Sequence, residues 1–214
     1  MLASLARYYG LPEHKHPLDP VDELVLTILS QNTNDNNRDK AYTALRERFP
    51  DLSDAIEADV SEIEGAIRVG GLARSKSRNI QAILSSLKDR YGRVTLDHLR
   101  DMAPLDAFDE LVAMKGVGTK TASCVMVFSL GQPFFPVDTH IHRVCIRMGL
   151  VDPGTSRERT QEMMDENVPD EWKYDGHLLI IEHGRRTCGA RTPNCPGCPL
   201  LERCPRVGVK GRIG

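Results

Sequence analysis

The fold turns on two stretches: Met114-Lys115-Gly116-Val117-Gly118-Thr119-Lys120-Thr121-Ala122 and, after an apolar run, Pro136-Val137-Asp138-Thr139-His140-Ile141-His142-Arg143-Val144. The first reads as a helix end, a tight Gly-x-Gly hairpin and a new helix starting near Thr119. Two glycines two apart let the backbone turn sharply and approach another backbone closely. The new helix turns its unpaired N–H groups and the positive end of its dipole toward that hairpin, a place for a phosphate. Lys120 falls in its first turn. A charged amine is disfavoured at a positive helix end, and a neutral one is a nucleophile able to form a Schiff base. Eighteen positions on, Asp138 opens another helix as its N-cap. The plain alternative is a helix–turn–helix with a solvated lysine and an aspartate that only caps.

Around this centre every segment reads as helix. Asp19-Pro20 opens a first one, with Leu24, Val25, Ile28 and Leu29 on one face. A second spans 35–49, with Ala41, Leu45 and Phe49 inward, ended by Pro50. A short helix at 52–57 precedes a capping box, Ser61-Glu62-Ile63-Glu64, and Gly70-Gly71 ends what that box begins. Ile80, Ile83, Leu84 and Leu87 stripe a long helix over 75–91. Leu105, Phe108, Leu111 and Val112 stripe another over 104–114. The segment 119–130 is small and apolar on most sides, so it is buried. Helix 138–148 turns Ile141, Val144, Cys145 and Met148 inward. A second capping box, Thr155-Ser156-Arg157-Glu158, follows, and a last helix over 171–184 places Tyr174, Leu178 and Ile181 on one face. No stretch shows strand alternation, so the fold class is all-α.

The chain has 214 residues, 40% hydrophobic and 27% charged, a composition that suits a globular protein with a sizeable core. No apolar run approaches bilayer length, and the first seven residues lack the pattern of a signal peptide, so a cytoplasmic protein without a membrane partner is expected. The net charge is −2. Its distribution says more: residues 183–214 hold seven basic side chains (Arg185, Arg186, Arg191, Arg203, Arg206, Lys210, Arg212) against Glu202 alone, so that segment is +6 and the remainder −8. Such asymmetry permits a local basic face on a mildly acidic protein.

Of the six cysteines, Cys124 and Cys145 sit on apolar helix faces and read as buried structural thiols. The other four form Cys188-x6-Cys195-x2-Cys198-x5-Cys204, interrupted by glycines and prolines. In a cytoplasmic chain this points to metal before disulfides. Zinc sites usually show two close pairs, and only one pair is close here. Cysteine-ligated iron–sulfur clusters accept wide spacing, so the order is cluster, then zinc, then disulfides.

Taken together, the hairpin 115–121, the Val137-Asp138-Thr139-His140-Ile141 loop and the cysteine tail resemble the endonuclease III family of helix-hairpin-helix DNA glycosylases and abasic-site lyases. The resemblance runs from about residue 20 to 206. It implies a six-helix barrel at 21–132 and a [4Fe–4S] cluster domain built from 1–20 and 133–214. It implies Lys120 as nucleophile, Asp138 as the essential carboxylate, and Cys188, Cys195, Cys198 and Cys204 as cluster ligands. Lys115, Gly116, Val117, Gly118 and Thr119 would grip backbone phosphate, with His140, Arg185 and Arg191 as further DNA contacts. The partner it implies is double-stranded DNA with damaged bases or abasic sites, and monomeric action is the default expectation. Leu72, in Gly70-Gly71-Leu72-Ala73, resembles the family's wedge leucine. The other insertion position is normally the Gln of Ser-Ala-Gln-Ala-Thr-Asp. Here the stretch is Ser30-Gln31-Asn32-Thr33-Asn34-Asp35, which leaves Gln31 or Asn32 in that role. His142 stands where the family commonly has Phe and reads as a helix-surface histidine. The implied reaction is excision of an oxidised pyrimidine followed by β-elimination. The competing readings are a monofunctional mismatch or adenine glycosylase, against which Lys120 argues, and a non-catalytic iron–sulfur DNA-binding protein, against which Lys120 and Asp138 together argue.

Overall fold

Several helix starts in this chain are written by short polar side chains and prolines. In the computed structural model, which describes residues 1–14 and 16–209, Asp19 accepts a hydrogen bond from the Val21 amide at 2.9 Å and Pro20 opens the helix. Asn34 caps the next through the Asn37 amide at 2.9 Å. Lys210 and Arg212 of the basic tail lie outside the described residues. Among the described residues there are eleven α-helices and no strand. They are α1 (Leu2–Tyr9), α2 (Pro20–Leu29), α3 (Asp35–Arg48), α4 (Asp54–Glu57), α5 (Val60–Ile67), α6 (Ala73–Tyr91), α7 (Pro104–Val112), α8 (Thr119–Cys124), α9 (Thr139–Arg147), α10 (Arg157–Asn167) and α11 (Lys173–Arg186). No helix among them is long and apolar enough to cross a membrane.

The chain divides into two compact units, one of Pro17–Gln132, the other of Met1–His16 with the chain from Pro133 onward. The first holds α2 to α8. Its start at Pro17, four residues ahead of the expected 21, goes with a bond from the Ser129 hydroxyl to the Leu18 carbonyl at 2.5 Å and with the Asp19 cap. The stripes of α2, α3 and α6 are buried as their 3.6 period requires. Each fully buried Leu or Ile contributes about 1.5–3 kcal/mol by leaving water.

Several local expectations fail in this unit. Leu105 is 70% exposed, because the buried face of α7 is set by Ala107 and Leu111, and Leu105 lies two residues off that face. α5 is capped by Asp59 through the Ser61 amide, so the box at Ser61 falls inside the helix. The helix after the hairpin does not run as α to residue 130. It passes at Val125 into a π turn, Val125–Ser129, in which the Leu130 amide reaches back five residues to the Val125 carbonyl at 3.1 Å.

The second unit packs α1, α9, α10 and α11 around Leu5, Phe135, Ile141, Val144, Leu179 and Ile180. The inward face of α11 is not the expected Tyr174–Leu178–Ile181 row, which is only half-buried. It carries Gly176, His177, Leu179, Ile180, His183 and Gly184. A Cβ on Gly176 would stand 3.0 Å from Leu2, and one on Gly184 would stand 2.9 Å from the His140 Cβ. Glycines here let neighbouring helices approach closely, and they leave no apolar letter in the sequence to mark the face. α10 begins one residue later than its expected box, with Ser156 accepting from the Arg159 amide at 3.1 Å.

Candidate active site

Four features carry the chemistry expected from sequence: the hairpin, the Asp138 helix start, the loops at 30–34 and 70–72, and the cysteine tail. At the hairpin, Val117 is buried and its amide closes a turn on the Met114 carbonyl at 3.0 Å. Lys115, Gly116 and Gly118 are exposed. Gly116 has φ 87°, a backbone that favours glycine, and a Cβ there would stand 2.9 Å from the side-chain nitrogen of Asn79. Gly118 is the N-cap of α8, and no side chain caps that helix. Its first turn, with half-buried Thr119 and Lys120, follows directly.

Behind Lys120 lies a carboxyl the pattern did not reveal. Glu23, in the first turn of α2, is 9% exposed and accepts from the Thr27 hydroxyl at 3.1 Å. Burial pushes its carboxyl up to about 7, with the Thr27 bond, the Lys120 ammonium and the Arg38 guanidinium pulling the other way. A buried acid that faces a lysine and titrates near neutrality can hold or release a proton under physiological conditions.

Asp138 belongs to the other unit. It is the N-cap of α9, half-buried, and one carboxylate oxygen accepts from the Ile141 amide at 2.8 Å. His177 donates from Nδ1 to the Pro136 carbonyl at 2.8 Å and pins the approach to that helix. His140 packs on Gly184 and accepts from Arg143 at 3.1 Å. His142 lies 2.9 Å from the Thr160 hydroxyl, whose proton goes to the Ser156 carbonyl at 2.8 Å. The imidazole is therefore the donor, and it braces α9 against α10. Burial, then Arg157, lowers its pKa.

The loops at 30–34 and 70–72 share a feature that neither shows in sequence. Asn32 has φ 52° and Leu72 φ 49°, both left-handed without being glycine. Such a backbone costs a non-glycine residue about 1–2 kcal/mol. Leu72 is 56% exposed, Asn32 is exposed and Gln31 half-buried.

In the tail, Cys188, Cys195, Cys198 and Cys204 all line one pocket with Val144, Arg147 and His183. Arg147 is buried and donates to the Cys188 sulfur at 3.2 Å and to the carbonyls of Cys188, Gly189 and Ala190 at 3.1, 2.8 and 2.9 Å. Arg143, one turn earlier on α9, donates to the carbonyls of Cys188 at 3.0 Å and Gly184 at 2.8 Å. The Leu200 amide points at the Cys198 sulfur, 3.4 Å away. Burial, reinforced by the neighbouring cysteine sulfurs, raises the Cys198 thiol. Arg143 and Arg147 are four apart on one helix face. That spacing was the available signal for their role, and the apolar stripe drew the reading away from it. Among the described residues no three His, Cys, Asp or Glu are set to hold a single metal ion. Arg185, Arg186 and Arg191 are exposed, and Arg186 donates to Glu182 at 3.0 Å and lies over the Tyr9 ring. Cys124 and Cys145 are buried as expected, and burial pushes the Cys145 thiol up to about 12.

Known proteins are similar to this chain in sequence and fold. The sequence model of the HhH-GPD superfamily base excision DNA repair proteins matches residues 25–170. A putative DNA glycosylase of Arabidopsis thaliana is 39% identical over 165 residues, covering 77% of this chain and 56% of its own length, so the chain spans little more than half of that relative. Endonuclease III of Thermotoga maritima is 32% identical over 215 residues, covering 99% of this chain and 96% of its own. Among solved structures, a trapped endonuclease III–DNA covalent intermediate matches with a TM-score of 0.84 at 32% identity, covering 96% of this chain and 92% of that one. The chain belongs to the HhH-GPD superfamily of base-excision DNA repair proteins. Within it, the fold is that of endonuclease III.

Proposed function

We propose that this protein removes oxidised pyrimidines from double-stranded DNA and cleaves the resulting abasic site by β-elimination. Family membership carries the broader class, a base-excision DNA glycosylase. The observation that carries the lyase half is Lys120: an amine in the first turn of an uncapped helix, directly after an exposed Gly-x-Gly turn.

The damaged nucleotide is extruded from the duplex, and the hairpin 115–119 holds a backbone phosphate through its amides. Lys120 attacks the sugar C1′ as the base departs with its bonding electrons. Asp138 keeps one oxygen on the Ile141 amide, and its other oxygen offsets the positive charge that builds on the sugar. Ring opening gives a Schiff base between Lys120 and C1′. That imine acidifies the C2′ proton, and its loss expels the 3′ phosphate. Asn32, the more exposed of the two candidates, and Leu72 fill the vacated stack. Arg185 and Arg191 contact phosphate, and the protein acts as a monomer on the chromosomal DNA of the cytoplasm.

The four tail cysteines fit a [4Fe–4S] cluster. All four line one pocket, and Arg147 and the Leu200 amide aim donors at the sulfurs of Cys188 and Cys198. When bound, such a cluster cross-links the 188–204 loops. The residues 17–132 then serve as the barrel and the other unit as the cluster domain.

The test is incubation with abasic-site DNA and borohydride, beside iron analysis of protein purified without oxygen. A covalent protein–DNA adduct and about four irons per chain are expected. Base release without any adduct would mean a monofunctional glycosylase, and one stoichiometric zinc would replace the cluster.

A further inference from the structure

Lys76 is the largest side chain buried to this degree, at 2% exposure, and nothing in the reaction above uses it. It lies in the first turn of α6, and burial lowers its pKa. An ammonium taken out of water has to be hydrogen-bonded to be tolerated. Its partners are two backbone carbonyls, Leu29 at 2.7 Å and Gly70 at 2.9 Å.

The positions of those carbonyls matter. Leu29 is the last residue of α2, where the helix dipole concentrates negative charge, and it stands three residues before Asn32. Gly70 ends the short 3-10 turn Arg68–Gly70 and stands two residues before Leu72. The two loops also approach each other directly. A Cβ on Gly70 would come within 4.0 Å of the Leu29 carbonyl oxygen and 3.1 Å of Ala41. Just beyond each anchored carbonyl sits a left-handed, non-glycine residue, Asn32 after Leu29 and Leu72 after Gly70. Strained backbone of this kind persists only where the surroundings over-determine it. One ammonium thus ties together two loops that lie some forty residues apart in sequence.

We propose that Lys76 is a positioning residue that locks loops 30–34 and 70–72 into a single rigid insertion element, so that Asn32 and Leu72 enter the duplex together at a fixed spacing. This rests on the reading of those two residues as the groups that fill the vacated stack. A lysine that merely supported the fold would affect every activity alike. A lysine that sets the spacing affects only reactions in which a stack has to be filled.

The experiment measures single-turnover cleavage by the full chain on an abasic site in duplex and in single-stranded DNA, the latter having no opposing base to displace. The variants are Asn32→Ala, Leu72→Ala and their double, each with Lys76 and with Lys76→Met. With Lys76 present, the double variant should lose little more on duplex than the worse single variant, because either truncation disables the shared element. Lys76→Met should lower the duplex rate by about 10²-fold, the scale of a small misplacement, and leave the single-strand rate within about twofold. Equal losses on both substrates, or a folded Lys76→Met protein with an unchanged duplex rate while the single variants are impaired, would overturn the proposal. If Lys76→Met does not fold, the cycle in the Lys76 background decides by itself, and independent, multiplying losses overturn the rigid pair. Should neither Asn32→Ala nor Leu72→Ala slow the duplex reaction, the insertion reading fails and takes this proposal with it.

Discussion

Two helix starts in this protein solve the same electrostatic problem in opposite ways. α8 begins at Gly118 with no side-chain cap, and α9 begins at Asp138 with a carboxylate on the Ile141 amide at 2.8 Å. Both ends are positive and both present unpaired amides. In the proposed mechanism the first leaves them for a phosphate of the substrate, while the second is closed by its own carboxylate. The carboxyl behind α8, Glu23, does not act as a cap. It is buried on α2, bonded to Thr27, with its titration moved up to about 7. The contrast teaches that a positive helix end can be left open or can hold a carboxylate in place, and that the N-cap residue decides which.

The sharpest way to break this contrast is Lys120→Gln. It removes the amine from the open helix start and leaves the hairpin amides, so borohydride trapping and strand cleavage should fall below detection while duplex binding holds. An adduct that still formed would move the nucleophile elsewhere.

Next in size is the pair at the closed start. Asp138→Asn keeps an oxygen for the Ile141 amide and loses the charge; Asp138→Ala loses both. Single-turnover excision of an oxidised pyrimidine should drop by about 10²–10³-fold for either. Cleavage of a preformed abasic site should drop less. Only the alanine variant should also lose stability, by about 1 kcal/mol in denaturant melts, for the missing cap. Equal destabilisation by both variants would mean that the charge, and not the cap, holds α9.

Glu23→Gln sharpens the contrast through pH. The native carboxyl titrates at about 7 against an ordinary 4.5. Below 4.5 both folded and unfolded chains carry the proton and the group is neutral in its effect. Between 4.5 and about 7 the unfolded chain ionises first, so stability falls as pH rises, and above about 7 the loss is complete. Melting temperatures should therefore show Glu23→Gln gaining more over the parent at pH 8 than at pH 5. A gain independent of pH would place the folded carboxyl near its ordinary value.

The smallest effect lies outside both helix starts. Arg191, exposed in the first loop between cysteines, should act on phosphate alone. Arg191→Ala should weaken binding to damaged and intact duplex by similar factors and reduce the salt dependence by about one phosphate. Lost lesion discrimination at an unchanged salt slope would make it a reader of the base instead.

Most of the helical frame was legible because burial and apolar letters coincide. Leu24, Ile28, Leu45, Ile80 and Leu84 repeat with the helical period and are all in the core. Lys120 and Asp138 were legible because both stand at helix starts, where local rules hold without tertiary context. What escaped was whatever the interior does with other letters. α11 packs through Gly176 and Gly184, which carry no hydrophobic signal. Glu23 and Lys76 look like solvent-facing charges until their burial and partners are seen, Thr27 one turn on for Glu23 and the Leu29 and Gly70 carbonyls for Lys76. Arg147 looks like an ordinary basic helix end until it is found on the cysteine loop. Leu105 failed in the other direction, as an apolar letter without a partner face.

The π turn at Val125–Ser129 holds a consequence for how this chain tolerates length change. A π turn stores one residue more than the α-helix needs to cover the same rise. Deleting one residue within 125–128 would let the ladder close in ordinary α register and leave both the reach and the phase of the segment nearly unchanged, because a π turn and an α turn cover the same rotation with one residue's difference. Ser129 would keep the Leu18 carbonyl that it now holds at 2.5 Å. The same deletion in the α part of the hairpin helix would instead turn every side chain beyond it by about 100° around the axis. The surplus residue thus works as a slack link, the one place in this helix where a length change is absorbed without re-aiming its end.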